Sequence, residues 1–128
     1  MARAYVAASR DNDDGPRVYR YLFTHALENP NPFVGRGAVH TTDLPFIFHT
    51  LGMGGFVYTP TAAEQELSTT MAITWTAFAK EANPNNASIP SWPRYDVATD
   101  SYLQFDDVVR ADAGVHTAHR DFWDAIGD

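Results

Sequence analysis

The chain has no cysteine among its 128 residues. This absence excludes disulfide bonds, thiolate metal ligands and a cysteine nucleophile. No apolar run approaches the roughly 18 residues of a membrane-spanning helix, so a membrane partner is not expected. The first residues, Met1 to Tyr5, lack the apolar stretch of a secretion signal. The compartment stays open between cytoplasmic and secreted, because secreted proteins can also lack cysteine.

Basic residues are scarce: nine Lys and Arg stand against sixteen Asp and Glu, a formal net charge of −7. Nucleic-acid binding usually requires a basic patch, so this balance argues against a nucleic-acid partner and mainly favours solubility. Apolar residues make up 45% of the chain and include eight Phe, six Tyr and three Trp. That is enough to bury the core of one domain.

The order of patterns predicts an α/β domain that holds only part of a sheet. Residues 17–24 are rich in Val, Tyr, Leu and Phe, which indicates a strand, and their apolar character suits a parallel sheet covered by helices. A loop at 35–43 follows. A T-x-x-E capping box precedes a helical pattern at 62–82. We expect a hairpin at about 95–105 and a short amphipathic helix at about 118–126.

Histidines are the main candidates for chemistry. Two of the five, His116 and His119, have a spacing that can place two metal ligands on one helix face, but a zinc site usually needs three or four ligands and no third is evident. We therefore expect no metal and no cofactor. The other three histidines are His25, His40 and His49.

His40 lies in a loop between the predicted strand and a short predicted helix that starts near Pro45. Small residues before it allow the backbone to bend sharply. A loop histidine after a parallel strand is where an α/β-hydrolase keeps its general base. Position alone does not decide this, since many loop histidines are simply polar surface residues.

Five segments resemble, in order, motifs of the type-B carboxylesterases, a family of the α/β-hydrolase superfamily. They are VYRYLF at 18–23, GAVHTTDLPFIF at 37–48, WTAFAK at 75–80 with NPN at 83–85, WPRYD at 92–96 and FW at 122–123. The family's pattern around the second segment is G-A-x-H-x-x-E-L-P-Y-x-F. The resemblance spans 18–123 and implies a C-terminal α/β-hydrolase fragment: the last part of the sheet with its packing helices.

The resemblance implies hydrolysis of small carboxylic esters by a serine, histidine and acid triad in which His40 is the histidine. The family's G-x-S-x-G elbow and Gly-rich oxyanion loop are absent, and its acid should lie upstream of the strand. Asp43 replaces the family's glutamate at a helix start, where it favours the helix dipole, and it is not the triad acid. We therefore expect a truncated or split chain that needs the missing N-terminal part.

Two other interpretations stay open. The chain could be a catalytically inert binding or assembly module, because a strand with unpaired edges invites pairing with another chain, including a second copy. It could also be a small self-sufficient hydrolase with a rearranged site. That interpretation requires a serine or aspartate close to His40, and His49 is the nearest other imidazole in sequence.

Overall fold

The computed structural model describes residues 17–32, 35–53 and 58–115. The predicted helix at 118–126 lies outside these ranges, as do His116 and His119. The elements, in chain order, are β1 (Tyr21–Phe23), α1 (Leu44–Ile47), α2 (Ala62–Glu81), β2 (Ser101–Phe105) and β3 (Arg110–Ala113).

The three strands form one mixed sheet in the order β1-β2-β3. β1 runs parallel to β2, with Leu22 opposite Gln104, and β2 runs antiparallel to β3, with Ser101 opposite Ala113. A parallel pair needs a long crossover connection, and here that connection carries both helices. Because the order ends at β1, this strand forms an edge of the sheet within the described residues.

The hairpin predicted at about 95–105 was wrong in its pairing. The real hairpin joins β2 to β3 through residues 106–109. Tyr95 instead donates its backbone N–H to the carbonyl of Val18 (2.8 Å), and Asp96 accepts hydrogen bonds within a turn. The sequence Arg-Ala-Asp-Ala of β3 has no β-branched or aromatic residue and is fully exposed, so it carried no strand signal.

Helix α2 begins at a complete capping box. The Thr61 hydroxyl accepts the N–H of Glu64 (3.2 Å), and the Glu64 carboxylate accepts the N–H of Thr61 (2.7 Å). The helix ends at Ala82, which adopts a left-handed conformation (φ 52°) just before the Asn83-Pro84 stop. Its buried face includes Leu67 and Met71, which pack towards α1 and the sheet.

The core lies between α2, α1 and the central strand β2, all five residues of which are buried. Aromatic rings meet edge-on or tilted here: Phe105 lies 5.6 Å from Trp75 and 6.0 Å from Trp92 between ring centroids. Such contacts add to the hydrophobic stabilisation of the core. The buried cluster consists of Phe46, Ile47, Leu67, Met71, Trp92, Leu103 and Phe105.

Replacing the core residue Leu103 tests this arrangement. Leu103 is fully buried, so Leu103→Ala should lower the free energy of unfolding by about 2–5 kcal/mol because it leaves a cavity. Val108→Ala is the control, since this side chain is 70% exposed, and it should change stability by no more than about 0.5 kcal/mol. Urea unfolding measures both. Equal losses in the two variants would contradict a core built on β2.

Candidate functional site

His40 lies in a tight turn between β1 and α1. The carbonyl of Val39 accepts two hydrogen bonds from Thr42, one from its N–H (3.2 Å) and one from its hydroxyl (2.7 Å). Leu44 donates its N–H to Thr41 (3.2 Å), and Thr41 has a left-handed backbone (φ 70°). Side-chain and backbone bonds therefore hold the turn, while the His40 side chain itself is exposed.

A hydrogen bond ties this turn to the sheet. The Tyr21 hydroxyl donates to Oδ2 of Asp43 (2.8 Å). Asp43 stands at the N-cap of α1, but its side chain caps no helix N–H, so the carboxylate serves Tyr21 instead. Burial, followed by this hydrogen bond and by the negative charge of Asp43, raises the pKa of Tyr21 to about 12.

Two hollows flank His40. The first, a cavity of about 280 Å³, has a largely apolar lining that includes Leu27, Pro45, Leu51 and Met53. The second is a more open depression at the end of β1, beside Tyr21 and Asp43. A small apolar group can therefore lie directly beside the imidazole.

Among the described residues, neither ring nitrogen of His40 has a hydrogen-bond partner, although Asp43 lines the same depression. Ser68 is buried, donates to the carbonyl of Phe46 (3.0 Å), and contacts Nδ1 of His49 (3.0 Å). Because its hydroxyl is inaccessible and already donates to a carbonyl, Ser68 is no substitute for a catalytic serine. A rearranged serine site is therefore not present among residues 17–32, 35–53 and 58–115.

A second group of titratable side chains escaped the sequence analysis. His25 is buried and places Nδ1 2.8 Å from Asp107 and Nε2 3.2 Å from Glu64. The sequence pattern identified Glu64 only as a capping residue. The two contacts of His25 join residues that lie 39 and 82 positions apart, so no local sequence pattern indicates them.

Glu64 is buried in this group but remains ionised at neutral pH. Burial favours its neutral form, yet hydrogen bonds from Tyr58, Thr61, Glu28 and His25 together lower the pKa of its carboxyl group. The same contact acts in the opposite direction on Tyr58: burial, then the hydrogen bond to Glu64, raises the pKa of its phenol to about 12.

Acidic groups near His25 could also supply ligands to a metal. Two triads bring three ligand atoms within 4.8 Å of one another: His25 with Asp106 and Asp107, and His25 with Glu28 and Glu64. The hydrogen bonds already described occupy both nitrogens of His25. These side chains therefore satisfy one another without an ion.

The family model described as Carboxylesterase family matches residues 2–123. The chain belongs to the carboxylesterase family. It is 32% identical over 124 residues to mouse carboxylesterase 5A, covering 92% of this chain and 21% of that protein. It is 36% identical over 110 residues to human cocaine esterase, covering 83% of this chain and 19% of that protein. The chain thus spans about a fifth of the length of the curated relatives it matches.

Solved structures agree with this membership. The crystal structure of a Geobacillus stearothermophilus carboxylesterase at pH 6.2 superposes with a TM-score of 0.68 at 26% identity, covering 84% of this chain and 22% of that one. The mixed sheet and its helices are therefore a part of the α/β-hydrolase fold, as the sequence predicted. None of the helices in the described ranges has the length and apolar character needed to span a membrane.

The Tyr21–Asp43 contact can be tested by titration. Asp43→Asn should lower the pKa of Tyr21 from about 12 towards, but not to, its ordinary 10.0, because burial is the largest cause of the shift. Because the pKa of Tyr21 is raised in the folded state, its neutral hydroxyl contributes stability that is fully present below pH 10. This contribution is lost as the pH rises through the folded-state pKa. In Asp43→Asn, the loss of the stability that Tyr21 contributes should therefore be complete at a lower pH.

Site-specific NMR titration of the tyrosine ring carbons measures this shift. Tyr58, whose pKa is also raised to about 12, serves as the internal reference. Glu81→Gln removes one exposed charge from the end of α2 and should leave Tyr21 unaffected. An unchanged pKa of Tyr21 in Asp43→Asn would contradict the hydrogen bond.

Proposed function

We propose that this chain is the histidine-bearing part of a carboxylic-ester hydrolase and that His40 is its general base. The observation that carries the proposal is the position of His40 in the family's motif. Its imidazole is exposed, makes no hydrogen bond to another described residue, and lies in a hydrogen-bonded turn beside an apolar cavity. Membership of the carboxylesterase family supports it. The nucleophile and acid would come from the rest of the hydrolase.

The chemistry follows from these positions. A serine hydroxyl attacks the ester carbonyl while the imidazole takes its proton, and the resulting imidazolium then gives that proton to the leaving alcohol. Water repeats the sequence to release the acid. An exposed imidazole that bonds no described residue can accept the hydroxyl proton of a serine on one nitrogen and donate the N–H of the other to an orienting carboxylate.

The cavity beside His40 suits small esters with an apolar group. Leu27, Leu51 and Met53 line it, and flexible side chains such as methionine adapt to ligands of different shape. Relatives carry names as different as cocaine esterase and medium-chain fatty acyl-CoA hydrolase precursor, the latter from duck. We therefore infer an ester substrate of modest size.

The edge of β1 offers a docking place for the upstream part of the hydrolase. The carbonyl of Arg20 accepts the N–H of Leu103, and the N–H of Thr24 donates to the carbonyl of Phe105, both at 3.0 Å. These backbone groups of Arg20 and Thr24 therefore face β2. Backbone groups of successive residues in a strand point alternately to its two edges. The N–H and C=O groups of Tyr21 and Phe23 therefore face the edge of β1 that no described strand covers. We propose that a strand of the missing N-terminal part pairs there, and that a second copy does so in its absence.

Turnover of a short-chain p-nitrophenyl ester tests the role of His40. The purified chain, alone and mixed with the upstream part of a carboxylesterase, is compared with His40→Ala and with free imidazole at equal concentration. A working site should exceed free imidazole and lose at least about 100-fold on substitution, because a general base contributes about 10²–10⁴ to the rate.

His49→Asn is the matched control. It replaces the other exposed histidine of the described ranges, and asparagine tolerates the left-handed backbone found there (φ 53°). This variant should keep full activity. Equal turnover by the parent chain and His40→Ala, in both preparations, would disprove the assignment and favour the inert assembly module.

Pairing at the β1 edge makes a separate prediction. For the chain alone at micromolar concentration, sedimentation should show self-association, and amide exchange at Tyr21 and Phe23 should slow as the concentration rises. Amides of Leu22 and Thr24 should not respond, because they already face β2. A single monomer boundary with concentration-independent amide exchange would count against pairing at this edge, both by a second copy and by an upstream strand.

A further inference from the structure

The Glu64 carboxylate makes more contacts than a helix cap requires. Its Oε2 atom completes the capping box by accepting the N–H of Thr61 (2.7 Å). Its Oε1 atom accepts three further bonds: from the Tyr58 hydroxyl (2.5 Å), the Glu28 N–H (3.1 Å) and Nε2 of His25 (3.2 Å). Glu64 is completely buried, so one charged group joins the start of α2 to the chain that follows β1.

The same junction holds the loop after β1 at a second point. Asn29 donates its N–H to the Tyr58 hydroxyl (3.2 Å) and its side-chain amide to the carbonyl of Thr59 (2.7 Å). Between these anchors lies Leu27, which lines the cavity beside His40. The segment that contributes Leu27 to the cavity lining is therefore attached to the start of α2 through hydrogen bonds.

His25 carries the connection onward to the His40 turn. Its ring bridges Glu64 and Asp107 and meets the ring of Phe46 edge-on, with 5.5 Å between centroids. Phe46 is completely buried in α1, the short helix that directly follows His40. A continuous path of contacts thus runs from Glu64 through His25 and Phe46 to the turn.

We propose that Glu64 and His25 are positioning residues for His40. Their contact holds α1, which follows the His40 turn, and the segment that contributes Leu27 to the cavity beside His40, although neither side chain has a recorded contact with the imidazole itself. This inference rests on the proposed function, in which His40 is the reacting group. A reacting imidazole displaced by about 1 Å can cost a hundredfold in rate, so distant supports of this kind matter to catalysis.

Glu64→Gln tests the proposal because an amide has one acceptor oxygen and an NH₂ donor that would face other donors. The loss of the negative charge weakens the contact to His25 in either orientation of the amide, and the NH₂ group also faces either the Thr61 N–H or the three donors at Oε1. Thr61→Ala is the matched control: it removes the hydroxyl half of the capping box but leaves the four bonds to the Glu64 carboxylate in place. It should lower the melting temperature without disturbing the turn.

NMR of the 128-residue chain supplies a measurement that does not depend on activity. Glu64→Gln should shift and broaden the ring signals of His40 and the amide signals of Val39 to Asp43, whereas Thr61→Ala should leave them as in the parent chain. Unchanged His40 signals in Glu64→Gln, or the same change in both variants, would overturn the proposal. The first result would show no coupling, and the second only a general loss of helix stability.

Kinetics provide the second measurement, in the preparation that shows His40-dependent turnover. Glu64→Gln should lower kcat by about 10- to 100-fold with little change in KM, because misplacement of a catalytic group affects the reacting geometry more than ester binding. Thr61→Ala should retain kcat. An unchanged kcat in Glu64→Gln would also overturn the proposal.

A third variant covers the case in which Glu64→Gln does not fold. Tyr58→Phe removes one bond to Oε1 and the acceptor of the Asn29 N–H. It keeps the charge and the cap, so it should shift the His40 signals in the same direction by a smaller amount. No shift in a folded Tyr58→Phe would then overturn the proposal. If the parent chain shows no His40-dependent hydrolysis in either preparation, the proposed function fails while the NMR comparison still decides the coupling.

Discussion

The parallel pairing of β1 with β2 is the constraint on which the other elements depend. The two strands lie about 80 residues apart, with Leu22 opposite Gln104, and a parallel connection cannot be a tight turn. The intervening chain must leave the end of β1, cross the sheet and return. The His40 turn stands at the beginning of this crossover and α2 forms its body, so the position of the imidazole follows from the topology of the sheet.

Local signals predicted the elements that local interactions stabilise. The capping box at Thr61 and Glu64 and the stop near Pro84 marked α2 to within a residue, and the Gly-rich segment before His40 indicated the turn. β3 was missed because Arg-Ala-Asp-Ala forms a strand only by pairing with the buried β2. The bridge from His25 to Glu64 and Asp107 was missed because it joins parts that are far apart in sequence.

The proposed division of the triad has a structural basis in the fold. In an α/β-hydrolase the three triad residues follow different strands, in the chain order serine, acid, histidine. Under the proposed function, a chain that covers about a fifth of its relatives' length supplies one member of the triad, and other parts of the hydrolase supply the rest. Among the described residues, β1 lies at an edge of the sheet and no group bonds the ring nitrogens of His40. The proposed division would use both of these contacts.

Three supports hold the His40 turn, and each comes from a different element. Hydrogen bonds to the Val39 carbonyl close the turn itself, Tyr21 ties Asp43 to β1, and packing of Phe46 on His25 connects α1 to the Glu64 junction. A single support would leave the backbone of the turn free to pivot, whereas supports on separate elements restrict that movement. Under the proposed function, a turn held in this way presents His40 to the serine, which would reduce the entropy lost when the reacting groups meet.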